Sequence, residues 1–235
     1  MVDFTGGTWR SLIDGSEVSD IPDSVVDNFE DATATPLGVY EDGQEISDYY
    51  GGDTAAFSRD AGAAKEGDFG LRRSTSDTFT VITSNPGDGL NRYIKVGETW
   101  RCWVKVPSTE SFTDSISVIF GHSSNTALDD GYLLMPREDS GKFLFLQRRD
   151  GGTVTDIASE SISWPTNEWF EIEGHHEADG SFTGKIFDDQ GSQIGSDLTA
   201  NDSTYITDGE YDHEGIGYAA ARIGDAGDWD ELRIV

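Results

Sequence analysis

The stretch from Trp164 to Ser192, WPTNEWFEIEGHHEADGSFTGKIFDDQGS, constrains this chain more than any other. Phe170, Ile172, Gly174 and His176 share one parity, and Trp169, Glu171, Glu173 and His175 share the other. Past Asp179-Gly180, Phe182, Gly184 and Ile186 alternate with Ser181, Thr183 and Lys185. Two alternating runs around an Asp-Gly predict a β-hairpin, because the primed turns need a positive φ that glycine adopts freely. A second turn, Asp188-Asp189-Gln190-Gly191, starts the next strand near Gln193.

The rest of the chain repeats this texture. Short apolar runs, VVDNFE from Val25, FTVIT from Phe79, ETWRCWVKV from Glu98 and ISVIF from Ile116, are separated by turn residues. Tyr132–Met135 pairs naturally with Phe143–Arg148 across Glu138-Asp139-Ser140-Gly141. Asp150-Gly151-Gly152 turns the chain into a strand near Val154, and GIGYAAAR and WDELRIV close it. No window sustains a 3.6-residue period, so helices are expected to be few and short. Many short strands with 28 glycines in 235 residues predict one large sandwich or barrel over 24–235. Residues 1–23 carry isolated Phe4, Trp9, Leu12 and Ile13 without a period. They read either as an extended arm that docks on another protein or as a strap packed on the domain.

The charge balance excludes several partners. Forty-five acidic residues against 16 Lys and Arg leave a formal net charge of −29. Such a field opposes nucleic acid and anionic membranes. The acids are dispersed rather than gathered in a tail, and the periodic strands argue against a disordered acidic chain. A dispersed acidic surface keeps a protein solvated where concentrated salt screens its self-repulsion, so a high-salt host is expected. Cys102 is the one cysteine, so no intramolecular disulfide forms, and its parity with Val104 and Val106 makes it a core residue. The first residues lack a basic region followed by an apolar run, so no signal peptide is expected, and no segment is long and apolar enough to insert in a membrane.

Taken in order, ETWRCWVKV, GYLLMPREDSGKFLFLQRRDGG, the hairpin and GIGYAAARIGDAGDWDELRIV resemble the laminin-G-like, concanavalin A-like jelly rolls of haloarchaeal proteins and their tailed viruses. The resemblance covers roughly Asp23 to Val235. It implies an all-β, two-sheet antiparallel jelly-roll sandwich, a fold that hosts lectins, carbohydrate-binding modules, glycosidases and lyases. The arm FTGGTWRSLIDGSEVSDIPDS is similar to the opening of haloarchaeal viral structural proteins. Phe4, Trp9, Leu12 and Ile13 are then its candidate docking residues.

Three chemistries are weighed. Related jelly rolls carry a structural Ca²⁺ between an N-terminal Phe-Glu and a C-terminal Asp, matched here by Phe29-Glu30 and Asp230. Adjacent first and last strands would bring Asp27, Asn28 and Glu30 near Asp228 and Asp230, an oxygen-rich set of the kind Ca²⁺ takes. The competing reading is a set of surface acids in an acidic chain. Glu171, Glu173 and Glu177 resemble the glutamate run of family-16-like glycosidases, but a retaining pair needs carboxyls about 5–5.5 Å apart. Six strand positions span roughly 20 Å, so an enzyme is not expected. For sugar binding, Trp103 stands on the parity opposite Cys102. Tyr132, Arg148, Arg149, Trp164 and His175 could join it as aromatic platform and polar groups, although each tryptophan taken singly is better explained as a core or edge residue.

These readings leave three function classes. One is a virion surface projection, such as a tail fibre, spike or capsid turret, whose jelly roll binds a host surface glycan. The second is a cellular carbohydrate-binding or adhesion module, and the third is a glycoside hydrolase. The expected absence of a signal peptide favours the first, in which the protein is made in the host cytoplasm and reaches the virion surface with the particle. Its partners would be other capsid or tail proteins and copies of itself, as a trimer in a fibre or a pentamer at a vertex.

Overall fold

A computed structural model of the chain describes residues 24–30, 40, 44–73, 79–90, 92–107, 115–123, 130–138, 140–221 and 227–235. The arm with Phe4, Trp9, Leu12 and Ile13 lies outside them. In chain order the strands are β1 (Val25–Asp27), β2 (Gly51–Gly52), β3 (Phe57–Asp60), β4 (Gly70–Arg73), β5 (Thr80–Ser84), β6 (Thr99–Lys105), β7 (Ser115–His122), β8 (Gly131–Glu138) and β9 (Lys142–Asp150). There follow β10 (Thr153–Ser161), β11 (Trp169–His176), β12 (Ser181–Phe187), β13 (Leu198–Asn201), β14 (Ile206–Thr207), β15 (Glu210–Tyr211), β16 (Gly215–Ala221) and β17 (Gly227–Ile234). The one α-helix among the described residues, α1 (Ile46–Tyr49), is a single turn.

The long strands form two antiparallel sheets. One runs β13-β12-β11-β6-β17-β4-β3, with β1 also pairing β17, and the other runs β10-β9-β8-β7-β16-β5-β2. The first and last strands do meet, Val25 opposite Arg233 and Asp27 opposite Leu232. The expected two-sheet jelly-roll sandwich is therefore the fold.

The hairpin forms as β11 and β12, with His176 opposite Phe182. Its turn differs from the primed two-residue type. Glu177 N–H donates to Ser181 O at 2.8 Å and Gly180 N–H to Glu177 O at 3.0 Å, with Gly180 at φ 85°. This is a three-residue loop ending in a left-handed glycine, the second commonest way to close a hairpin. Asp179 supports it from its side chain, Oδ1 accepting from Ser181 N–H at 2.9 Å. The two-residue turn occurs instead between β9 and β10, where Gly151 and Gly152 both take positive φ.

Strand alternation sorts the second sheet into two faces. Ile116, Val118, Phe120, Leu134, Leu144, Leu146, Tyr218 and Ala220 turn inward to the main core, which Trp100, Cys102, Val104, Phe170, Ile172, Phe182 and Trp229 fill from the first sheet. On the outward face Val81, Ile119, Leu133, Met135, Phe145 and Ala219 form a separate apolar cluster, with Phe143 against it. A sheet in a sandwich usually turns polar residues outward. A second apolar layer there needs an explanation.

Candidate functional site

The groove lies on that outward face. Phe79, Ser115, Ser117, Met135, Arg137, Gln147, Arg149, Val154 and Ala221 line a cavity of about 300 Å³. Strands β7, β8, β9, β10 and β16 supply all but Phe79, which stands just ahead of β5. The register explains the convergence, because Val154 pairs with Arg149, and Arg137 pairs with both Ser115 and Phe143. Phe79 is 40% exposed and Val154 44% exposed. Only Val235 joins them as a large exposed hydrophobic among the described residues. Two of three such side chains therefore border one groove.

Polar groups are set among the rings. The Arg149 guanidinium carbon lies 5.1 Å from the centre of the Phe79 ring, and that of Arg137 lies 4.8 Å from Phe145. Phe143 and Phe145 are tilted neighbours at 5.7 Å. Gln147 donates to Asp156, and Ser117 Oγ donates to Ala219 O at 3.3 Å. Half-burial pulls Arg149 below the ordinary arginine range. The groove thus offers apolar surface at its rim and hydrogen-bonding groups on its floor, the composition of a small-ligand site.

Of the six residues expected to bind sugar, only Arg149 reaches this groove. Trp103 has the anticipated outward parity but is 7% exposed, because the chain before β4 covers it and Lys65 Nζ sits 5.0 Å from its ring. Trp164 is 1% exposed and stacked on Phe170 with centroids 5.7 Å apart. Tyr132 is fully buried and donates to Asp202 Oδ1 at 2.9 Å, and Arg148 is paired with the same carboxylate. His175 lies on the other sheet, between Thr99 Oγ1 at 3.0 Å and Glu177 at 2.8 Å. Trp103, Trp164 and Tyr132 are structural aromatics, and the six do not form one surface. The apolar character of both parities in KFLFLQRR concealed the outward face. The alternation Phe143, Phe145, Gln147, Arg149 was the signal for it.

The four carboxylates expected to share Ca²⁺ are each bound elsewhere. Asp27 accepts from the Tyr50 hydroxyl, from Tyr40 at 3.4 Å and from Phe29 N–H at 3.0 Å. Full burial pushes its pKa up to about 6. Asp228 accepts from Arg72 at 2.8 Å and 3.0 Å. Glu30 Oε1 takes the N–H groups of Asp68 and Phe69, both at 2.8 Å, while its Oε2 is buried without a hydrogen bond. Asp230 Oδ2 takes those of Lys65 and Glu66 at 2.7 and 2.8 Å, and burial raises its pKa to about 7. These are donors, which suit an anion. Among the described residues no three metal-ligating side chains gather to hold an ion. A Ca²⁺ shared by Asp27, Glu30, Asp228 and Asp230 does not fit this donor set.

The hairpin glutamates are likewise committed. Glu171 binds Arg101 at 3.1 Å and also Arg233, and Glu173 binds Arg101 at 2.7 Å and Lys185 at 3.1 Å. The two carboxylates are thus taken up by ion pairs on the outer face of the first sheet.

No protein-family model and no curated protein sequence matches the chain. Solved structures do. The cellulose induced protein Cip1 superposes with a TM-score of 0.54 at 16% identity, over 89% of this chain and 95% of Cip1. Lectin II from Ulex europaeus gives 0.52 at 10% identity, over 79% and 91%. The lectin UEA-II complexed with galactose gives 0.52 at 9% identity, over the same shares. At these identities the likeness is one of fold, and the fold is that of the lectin-like jelly-roll sandwich.

Proposed function

We propose that this chain is a glycan-binding jelly roll whose site is the groove on the outward face of the seven-stranded sheet. The observation that carries this is the exposed Phe79 ring beside Val154, over a floor of Ser115, Ser117, Gln147 and Arg149. A pyranose ring presents C–H groups to an aromatic face and hydroxyls to polar neighbours, and this groove pairs the two within one cavity. The lectin likeness supplies a precedent for the scaffold and is only an analogy for the activity.

The setting we favour is a virion surface projection in a high-salt host, which rests on the sequence resemblance and on the acidic surface. Recovery of the chain in peptide digests of purified particles tests that setting, and its absence from them would remove it. For binding, the test is titration of the chain with host surface polysaccharides in concentrated salt. Wild type is expected to bind and Phe79→Ala to lose at least tenfold in affinity at unchanged melting temperature. No binding at millimolar sugar would sink the glycan reading.

A further inference from the structure

Arg149 differs from the ion-paired arginines of the two sheets. Arg72, Arg92, Arg101, Arg148 and Arg233 each hold a carboxylate. Arg149 holds none among the described residues; its Nε is buried without a hydrogen bond, as is that of Arg148, but Arg148 has a carboxylate on its terminal nitrogen. Burial pulls its pKa below the ordinary arginine range. In a chain with 45 acidic residues, a half-buried guanidinium without a carboxylate among the described residues is a departure from what the composition favours. Leaving a buried donor unsatisfied is unfavourable, and more so when the group is charged. The nearby carboxylate on this face, Asp156, is already engaged by Gln147.

We infer that the groove takes a glycan bearing a carboxylate, a uronic acid residue, and that Arg149 binds that carboxylate while Phe79 and Val154 meet the sugar's apolar edge. The inference rests on the glycan reading of the groove and names the ligand class within it. The planar fork of a guanidinium matches a carboxylate bidentately, which an uncharged hydroxyl cannot reproduce. Arg137 lines the same cavity and adds positive potential.

The net charge of −29 opposes any anion at long range, and magnitude decides the outcome. At about 1 M salt the Debye length is roughly 3 Å, so distant surface acids cease to act while a half-buried contact is screened much less. A nucleic acid gains no such footing. It carries a charge about every 1.7 Å and is held by many phosphate contacts whose strength falls steeply with salt, whereas this groove holds two guanidinium groups.

The test is calorimetric titration of the full chain, in about 1 M KCl to shorten the screening length, with a short oligogalacturonide, its carboxyl-reduced neutral counterpart and a sulfated oligosaccharide of equal length. The oligogalacturonide is expected to bind at least tenfold more tightly than the neutral sugar. Arg149→Gln should erase that difference, and Arg149→Lys should retain part of it. Lys105→Gln, the same charge change on the other sheet, should alter neither. Equal affinity for charged and neutral sugars, or an indifferent Arg149→Gln, would overturn the inference and leave the glycan reading standing. Tighter binding of the sulfated sugar would overturn the carboxylate assignment. Binding of none of the three would remove the glycan reading itself.

Discussion

Gly174 stands directly opposite Trp100 in the pairing of β11 with β6, and a Cβ built on it would lie 2.4 Å from Trp100 Cζ2. The glycine in the hairpin's inward row is thus the space that the fully buried indole occupies. Gly174→Ala should lower stability by about 1–3 kcal/mol, the usual consequence of overpacking a filled core. Thermal unfolding measures it, and an unchanged midpoint would mean that the indole has room to move.

Aromatics of the core and of the groove should separate in their effects. Trp164→Ala should cost about 3–5 kcal/mol through the cavity it leaves against Phe170. Phe79→Ala, at a ring already 40% exposed, should fall within about 0.5 kcal/mol of wild type, as surface substitutions do. Paired denaturant titrations check this. A large loss at Phe79 would place that ring in the core.

The network on the first sheet depends on Arg101, which holds both Glu171 and Glu173. Glu171 is 2% exposed and Glu173 6% exposed, so Arg101→Met leaves buried charge less well matched. The remaining partners Arg233 and Lys185 limit the damage. We expect about 1–3 kcal/mol of destabilisation. The double variant Arg101→Met/Glu173→Gln should recover part of it, and failure to recover would show that packing rather than charge is at stake.

Stability should fall as pH rises through the neutral range. Burial raises Asp230 to about 7 and Asp27 to about 6. Both are protonated more readily in the folded than in the unfolded chain, so between about pH 4 and 7 the folded state binds more protons. Stability then declines with pH, and the penalty is complete above pH 7. At roughly 1.4 kcal/mol per unit, each shift is worth on the order of a few kcal/mol. Asp230→Asn keeps an oxygen for Lys65 and Glu66 N–H and should flatten the decline. A melting temperature independent of pH from 5 to 8 would contradict this assignment.

Salt should stabilise the fold. With a net charge of −29, self-repulsion is strong when the Debye length is about 10 Å at 0.1 M and weak when it is about 3 Å at 1 M. The melting temperature should climb with KCl well beyond the effect of an uncharged solute at equal osmolality. Unchanged stability would contradict the high-salt reading.

The hairpin from Trp169 to Phe187 and the pairing of β8 with β9 were legible in the sequence, whereas the meeting of first and last strands was implied only by the jelly-roll resemblance. Alternation and turn residues are local properties, and they specify which side chains share a face. Cys102 was placed in the core on the same ground. Which face is covered is not local. Trp103 has the outward parity foreseen for it, yet the segment around Lys65 lies over it, and only the packed chain shows this. Asp27 and Asp230 were correctly drawn toward adjacent strands. Their partners, tyrosine hydroxyls in one case and backbone N–H groups in the other, come from segments that sequence spacing does not relate to them. The groove is the clearest case. Arg137 and Arg149 share one hairpin, but Phe79 is far from them along the chain and joins them only when the strand it precedes, β5, takes its place in the same sheet. The sequence by itself determined the sheets, because strand formation rests on a two-residue period and on glycine at turns. The tertiary structure decided the site, because a binding surface is made by register between strands and by which face is left uncovered.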